Sequence, residues 1–282
     1  PGRYAEAISQ QISITVWDIS QIQAATQAAA RLGQTARLHL KVDTGMSRLG
    51  VQPEAALDLA RALAGAPGVI FEGVFTHFAR ADEADPAPTD EQARRFLEVV
   101  QALEAARLLP PKVHAANSAA GLHRSLPACN LMRIGIAMYG LHPSPECPLP
   151  AGLRPALAWK TVLSQVKSLP PGRGVSYGHE YVTRGHERIG TAPVGYADGL
   201  RRQRKHAALV GGQRVRVVSR VCMDQIMLLL DNVPQARPGD EVVIIGQQGE
   251  ERITAEEVGE RWGSNNYEVV CGIGARVPRV YS

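Results

Sequence analysis

Apolar positions in the first half of the chain switch between two periods. Residues 12–17 form a short β-branched run and predict a strand. Behind it Ile19, Ile22, Ala25 and Ala29 recur at helical spacing. The pair then repeats. Residues 38–42 read as a second strand, residues 53–64 as a helix with Pro53 in its first turn, and residues 69–75 as a third strand. Asp90 is expected to start a long helix whose apolar stripe is Phe96, Val99, Val100 and Leu103. Residues 113–116 and 132–138 complete the series as fourth and fifth strands. Strands alternating with helices predict β/α units on a parallel sheet.

Polar residues gather where those strands end. Lys41 and Asp43 close the second strand, Thr76 and His77 the third, and Asn117 and Ser118 the fourth, while Arg133 lies in the fifth. Functional groups at the carboxyl ends of successive parallel strands are the pattern of a (β/α)8 TIM barrel, whereas a doubly wound sheet collects them at one crevice. Five strands are too few to close a barrel, so residues 1–150 are expected to be about five of eight units. A chain opening on Pro1 fits the loss of the first units. Residues 142–155 hold five prolines with little periodicity and read as a linker. Beyond it, strand-like runs at 161–166, 188–193, 214–218, 227–230 and 241–245 alternate with Gly/Pro turns, and one helical pattern covers 255–262. Residues 151–282 are therefore expected to be a mostly-β domain, giving an α/β plus β fold.

Composition narrows the function. Of 282 residues 45% are hydrophobic and 21% charged, with a net charge of +4. The densest basic run, Arg201, Arg202, Arg204 and Lys205, reads as a solvated loop, and 5% aromatics are too few for a nucleic-acid surface. Cys129, Cys147, Cys222 and Cys271 form no C-x-x-C pair, which points to a reduced, cytoplasmic protein without a zinc site. No apolar run is long enough to span a membrane, and no signal-peptide pattern opens the chain.

Each candidate residue has a plain structural reading beside the functional one. A neutral Lys41 amine can form a Schiff base, tuned by Asp43 and Arg48, or the lysine can simply reach solvent. His77 can stack on a planar ring or be a hydrogen-bonded structural histidine. Asn117-Ser118-Ala-Ala-Gly121 is either a phosphate-binding helix start or a plain N-cap. Arg133 in an apolar strand must be paired if buried, which favours a ligand contact. Tyr177, between Ser176 and Gly178, can serve as a general acid/base if nearby cations lower its pKa, or can pack in a turn. Asp224 beside Cys222 and Met223 has no further ligands at metal spacing.

Together these segments resemble the alanine racemases, pyridoxal-phosphate enzymes that interconvert L- and D-alanine. The matching pieces are Lys41-Val-Asp-Thr-Gly-Met-Ser-Arg48, Thr76-His-Phe-Ala79, His114-Ala-Ala-Asn-Ser118, Arg133-Ile-Gly-Ile-Ala-Met-Tyr-Gly140, Val175-Ser-Tyr-Gly178, Gly195-Tyr-Ala-Asp-Gly199, Val221-Cys-Met-Asp-Gln225, and Asn266-Tyr-Glu through Arg276-Val-Pro-Arg279. They stand in the family's order and span nearly the whole chain.

The resemblance implies roles. Tyr177 would be the catalytic base on the L-alanine face, reaching into the partner subunit of a homodimer. Arg133 would face the pyridine nitrogen of pyridoxal 5'-phosphate and His77 its ring. Ser118, the backbone of Gly135 and Ile136, and Tyr267 would hold the phosphate. Arg48 and Met223 would meet the substrate carboxylate, Tyr196 would line the entrance, and Asp224 would support the site. Lys41 would match a second-strand lysine that is often carbamylated and supports Arg48. Ser47 stands where many relatives have glycine.

The family's second base is the cofactor-bearing lysine of a first-strand motif. None of the five lysines, Lys41, Lys112, Lys160, Lys167 and Lys205, sits in such a motif. The chain alone is therefore expected neither to racemise alanine nor to show Schiff-base absorbance with the cofactor. The implied product role is D-alanine for cell-wall synthesis. Serine or broad-specificity racemisation, a non-catalytic pyridoxal-phosphate carrier and a barrel-plus-β decarboxylase are the competing readings. The β-domain with its Tyr177 motif argues against the last two.

Overall fold

The computed structural model describes residues 2–203 and 205–281; Pro1, Arg204 and Ser282 lie outside the described residues, and Arg204 takes part of the basic run with it. The chain divides into two compact units, one of residues 1–138 and 143–152, the other of residues 139–142 and 153–282.

The first unit alternates helix and strand: α1 (Tyr4–Ser9), β1 (Ile14–Val16), α2 (Ile19–Leu32), β2 (Ala36–Lys41), α3 (Pro53–Gly65), β3 (Val69–Phe75), α4 (Ala87–Ala105), β4 (Lys112–His114) and α5 (Ser118–His123). The four strands pair in the order β1-β2-β3-β4, all parallel, in an open sheet. α2 is set at both ends by its own sequence. Asp18 accepts from the Ser20 N–H at 2.8 Å, and Gly33 closes the helix at φ 61°. Ile22, Ala25 and Ala29 are buried as the spacing predicts, but Ile19, first on the stripe, is exposed. α4 starts at Ala87, ahead of the expected Asp90, because Pro86 and Pro88 favour a first turn that needs no N–H. Phe96, Val99, Val100 and Leu103 all enter the core.

One expectation fails. Residues 132–138 are not a fifth strand. Only Leu131 bridges to His114, in parallel, and Ile136–Tyr139 is a 3-10 turn. The Ser118 hydroxyl accepts from the Gly135 N–H at 2.9 Å and the Ala137 N–H at 3.4 Å, which draws this backbone into a turn instead of a ladder.

The second unit is mostly antiparallel β. Its strands are β5 (Trp159–Val162), β6 (Gln165–Leu169), β7 (Gly174–Val175), β8 (Tyr181–Val182), β9 (Glu187–Ala192), β10 (Ala207–Val210), β11 (Gln213–Val218), β12 (Ile226–Leu229), β13 (Glu241–Gln248) and β14 (Glu251–Ile253). Eight of them form one sheet in the order β14-β13-β10-β11-β12-β9-β6, with β5 also on β13, while β7 and β8 pair separately. The run expected at 161–166 splits at Leu163 and Ser164. Leu163 N–H bonds to Asp240 O at 2.9 Å and Ser164 N–H to Thr191 O at 2.8 Å, so the chain passes there from one strand neighbour to another. α6 (Ala255–Arg261) follows β14, and α7 (Asn266–Gly272) is capped by Asn265, which accepts from the Glu268 N–H at 3.0 Å. Among the described residues no helix is long and apolar enough to cross a membrane.

Candidate active site

In the first unit the strand ends bring a set of cations and imidazoles together. Lys41 is the last residue of β2 and is buried. Its Nζ donates to the Val42 carbonyl at 3.1 Å and lies 5.2 Å from the Phe75 ring centre. Burial pushes its pKa down to about 8, with Arg133 and Arg48 adding to the effect and Asp43 opposing it. Asp43 shapes the turn beyond. Its Oδ1 accepts from the N–H groups of Gly45 and Ser47, each at 3.0 Å. Burial would raise that carboxyl, but the backbone donors, with Lys41, outweigh it and hold the pKa below the usual value. Arg48 stands exposed at the end of the turn.

Arg133 is the hub. Its Nη1 donates to His114 Nδ1 at 2.6 Å, and its Nη2 to Thr76 O at 2.8 Å, His77 Nδ1 at 3.1 Å and Ala115 O at 3.1 Å. The guanidinium also lies 5.0 Å over the Phe75 ring, which stacks on His114 at 4.7 Å and 8°. Burial is the main reason that His77 is brought to about 4 and His114 to about 3, with Arg133 second in both. Both imidazoles are neutral at pH 7. His77 accepts from Arg133 at Nδ1, so its proton is on Nε2.

The turn after Arg133 lies against the start of α5. Asn117 is a true N-cap, accepting from the Ala120 N–H at 3.0 Å. Ser118 is buried and faces Gly135 and Ala137. Its oxygen accepts there, so its hydroxyl proton is left to donate. Gly135 is exposed, and Ile136 opens a turn whose first N–H groups have no partner within it.

The second unit holds the other group of expected residues. Tyr177 is 69% exposed and begins a single 3-10 turn, Tyr177–His179, between β7 and β8. Ser176 before it sits at φ 59°, ψ −170°, a region that suits glycine, and strain of this kind concentrates at functional sites. Its hydroxyl donates to Arg220 O at 3.4 Å and lies 3.3 Å from Cys222 Sγ. Tyr177 and Met223 line one open cavity of about 470 Å³ with Asp224, Gln225 and Met227. Tyr196 is tied to the same segment, its N–H donating to Cys222 O at 3.1 Å and that of Ala197 to Met223 O at 2.8 Å. A Cβ on Gly195 would lie 2.4 Å from Cys222 O, so only glycine allows this approach. Asp224 is exposed, and Tyr267 is half-exposed on α7.

Several site residues carried no assigned role in the sequence: His39, Glu72 and Lys112. Their signal is there to read. A histidine and a glutamate interrupt otherwise apolar strands, and Lys112 starts the next one.

A cationic cluster at the ends of parallel β/α strands, followed by a β unit presenting tyrosine on a strained turn, is the arrangement of a two-unit β/α-plus-β enzyme. Residues 1–143 match the family described as alanine racemase, N-terminal domain, and residues 156–281 the alanine racemase C-terminal domain. The alanine racemase of Desulfovibrio desulfuricans is 46% identical over 283 residues, covering 100% of this chain and 76% of that protein. The crystal structure of alanine racemase from Bacillus anthracis with bound L-Ala-P superposes with a TM-score of 0.92 at 39% identity, over 100% of this chain and 74% of that one. That from E. faecalis gives 0.92 at 39% identity, over 99% and 75%. The chain belongs to the alanine racemase family, a family of isomerases.

The residues present suit the phosphorylated pyridine aldehyde used by that family. Arg133 has five N–H donors. The contacts above occupy one N–H on Nη1 and both on Nη2, which leaves its Nε–H and second Nη1–H among the described residues. A ring nitrogen needs such a donor. The Ser118 hydroxyl and the Ile136 N–H, which has no partner within its turn, are donors of the kind a phosphate needs, while the Gly135 N–H already serves Ser118.

Proposed function

We propose that this protein, as the cell makes it, interconverts L- and D-alanine with pyridoxal 5'-phosphate, in a homodimer of the cytoplasm, and so supplies D-alanine for cell-wall synthesis. The observation that carries this reading is the Arg133 guanidinium fixed among His77, His114 and Thr76 with donors to spare. Ser118 and the backbone of Gly135 and Ile136 would hold the phosphate, with Tyr267, and His77 would lie against the ring. Bound there, the cofactor acidifies the substrate α-hydrogen.

Arg133 would meet the ring nitrogen as a donor whose proton does not leave. In that role Arg133 would leave the ring nitrogen without a proton and keep the electron demand moderate, which would disfavour side reactions such as transamination. Arg48 and Met223 would orient the substrate carboxylate, and Tyr196 would line the entrance. The Tyr177 phenol would move the proton on the L-alanine face, acting in the partner subunit's site. Lys41, its pKa lowered to about 8, is suited to carry a carbamate, whose negative charge would support Arg48. Asp224 would brace Met223. The support for dimerisation is this same resemblance. The support for the cytoplasm is four cysteines without a disulfide among them.

The test is direct. The protein as the cell makes it, supplied with pyridoxal phosphate and L-alanine, is expected to form D-alanine, and to turn over L-serine more slowly. Turnover of serine with no D-alanine formed would move the assignment to another amino acid.

A further inference from the structure

A row of buried side chains runs away from Arg133 through the sheet. Beyond its contact with Arg133, His114 has Nε2 at 2.9 Å from His39 Nδ1. His39 Nε2 lies 3.0 Å from Glu72 Oε2. The Glu72 carboxylate also accepts from Lys112 Nζ at 2.8 Å and from the Ser13 hydroxyl. His114, His39 and Glu72 are 4%, 9% and 8% exposed. The fold makes room for this row. Leu38 pairs with Phe71 but His39 with Gly73, so Glu72 is the extra residue of a bulge in β3. A Cβ on Gly73 would lie 2.3 Å from His39 Nδ1.

The proton positions follow from the ends. Arginine only donates, so His114 Nδ1 is bare and its proton is on Nε2. That N–H must point to His39 Nδ1, which leaves the His39 proton on Nε2, pointing to the carboxylate. Burial and Arg133 keep His114 neutral, and the Lys112, Ser13 and His39 donors outweigh burial to hold Glu72 ionised. The donor end and the acceptor end thus select one direction. In the opposite direction the His114 Nδ1–H would face the Arg133 N–H, and the guanidinium would be pushed away.

We propose that Glu72 and His39 are positioning residues for Arg133: the one-way hydrogen-bond chain that ends on Glu72 locks His114 as its Nε2–H tautomer, and so pins the guanidinium where it meets the ligand. The effect on catalysis rests on the assignment of Arg133 to the cofactor ring nitrogen. The tautomer lock does not, and it is measured without cofactor.

The experiment uses protein labelled with 15N-histidine and long-range proton–nitrogen correlation spectra at pH 7.5, which separate the two neutral tautomers. Both His39 and His114 are expected wholly as Nε2–H. Either ring as Nδ1–H, or doubly protonated, overturns the proposal. In Glu72→Gln the amide offers a donor as well as an acceptor, so part of His114 is expected to change to Nδ1–H. In the protein as the cell makes it, loaded with pyridoxal phosphate, the same variant is expected to lose about tenfold to a hundredfold in kcat, the scale of a small misplacement.

Unchanged tautomers with kcat within about twofold of wild type would overturn the lock. If Glu72→Gln does not fold, the pair His39→Gln and His39→Leu decides. Glutamine can accept from His114 and donate to Glu72, so it keeps the direction and the Nε2–H tautomer, whereas leucine frees His114. Equal tautomer ratios in the two would refute the proposal. A locked tautomer in a protein that does not racemise alanine would leave the lock standing and refute the assigned reaction instead.

Discussion

The His39 ring occupies the space that a side chain on Gly73 would fill: a Cβ there would lie 2.3 Å from Nδ1 and 2.4 Å from Cε1. Gly73 has no turn to make; it is glycine because an imidazole lies on its backbone. Gly73→Ala is expected to destabilise the first unit by about 1–3 kcal/mol, the range for overpacking a filled interior. Urea unfolding of the variant against wild type reads this, and an unchanged midpoint would show that the ring moves aside freely.

Ser47 is strained for a different reason. It sits at φ 54° so that its N–H can reach Asp43 Oδ1 at 3.0 Å. A residue with a Cβ loses about 1–2 kcal/mol in this left-handed conformation. Ser47→Gly is therefore expected to raise stability by up to about 1 kcal/mol, part of the gain being offset by glycine's greater freedom when unfolded. Thermal unfolding measures it. A lower Tm in the variant would mean that the serine hydroxyl makes a contribution larger than its backbone strain.

These two positions show what was legible in the sequence and what was not. The β/α alternation, the long apolar stripe of α4 and the β-rich second half are readable because periodicity is set by burial on one face. Ser47 was visible as a departure from relatives, but its left-handed backbone became apparent only with the Asp43 contacts. The strand expected at 132–138 was misread because an apolar run gives no sign that Ser118, 17 residues before Gly135, captures its backbone N–H. An arginine in an apolar run, here Arg133, signals a need for partners if it is buried. The partners His114, Thr76 and Ala115 could not be named, because they come from neighbouring strands through parallel pairing. Glu72 and His39 show in the sequence only as polar residues within apolar strands, and their roles depend on a bulge in β3 that no local pattern marks.

The neutral histidines predict how stability depends on pH. His77 and His114 have folded pKa values of about 4 and about 3, against 6.5 unperturbed. Between these limits the unfolded chain binds more protons than the folded one, so stability rises with pH and is complete above about 6.5. Each histidine contributes a slope of up to about 1.4 kcal/mol per pH unit within its window, and the two together about 3.5 kcal/mol between roughly pH 6 and 4.5. Glu72 adds a second loss as pH falls from 4.5 toward about 2. Denaturant titrations of the first unit's unfolding across pH 7.5 to 4.5 measure the slope. A slope of about half this size would mean that one ring protonates in the folded state, and a flat profile above about pH 5 that both do.

Lys41 gives a prediction in mass. With its pKa near 8, part of the amine is neutral at pH 7.5 and can attack carbon dioxide, forming a carbamate and releasing a proton. Intact mass measured under native conditions in bicarbonate is expected to show one added carbamate that acid removes. Lys41→Ala is expected to abolish the addition. A gain that persists in Lys41→Ala would place it on another amine, and an unmodified amine at full occupancy would count against the carbamate.

The measurement that tests the proposed reaction most directly follows the alanine α-hydrogen in heavy water. In the protein as the cell makes it, wild type is expected to wash deuterium into both L- and D-alanine. Tyr177→Phe, which removes only the phenol oxygen, is expected to slow exchange into L-alanine by about 10²–10⁴, the contribution of a positioned general base, while exchange into D-alanine continues. Equal exchange of the two enantiomers at wild-type rates in that variant would contradict the assignment of Tyr177 as the proton carrier on the L-alanine face.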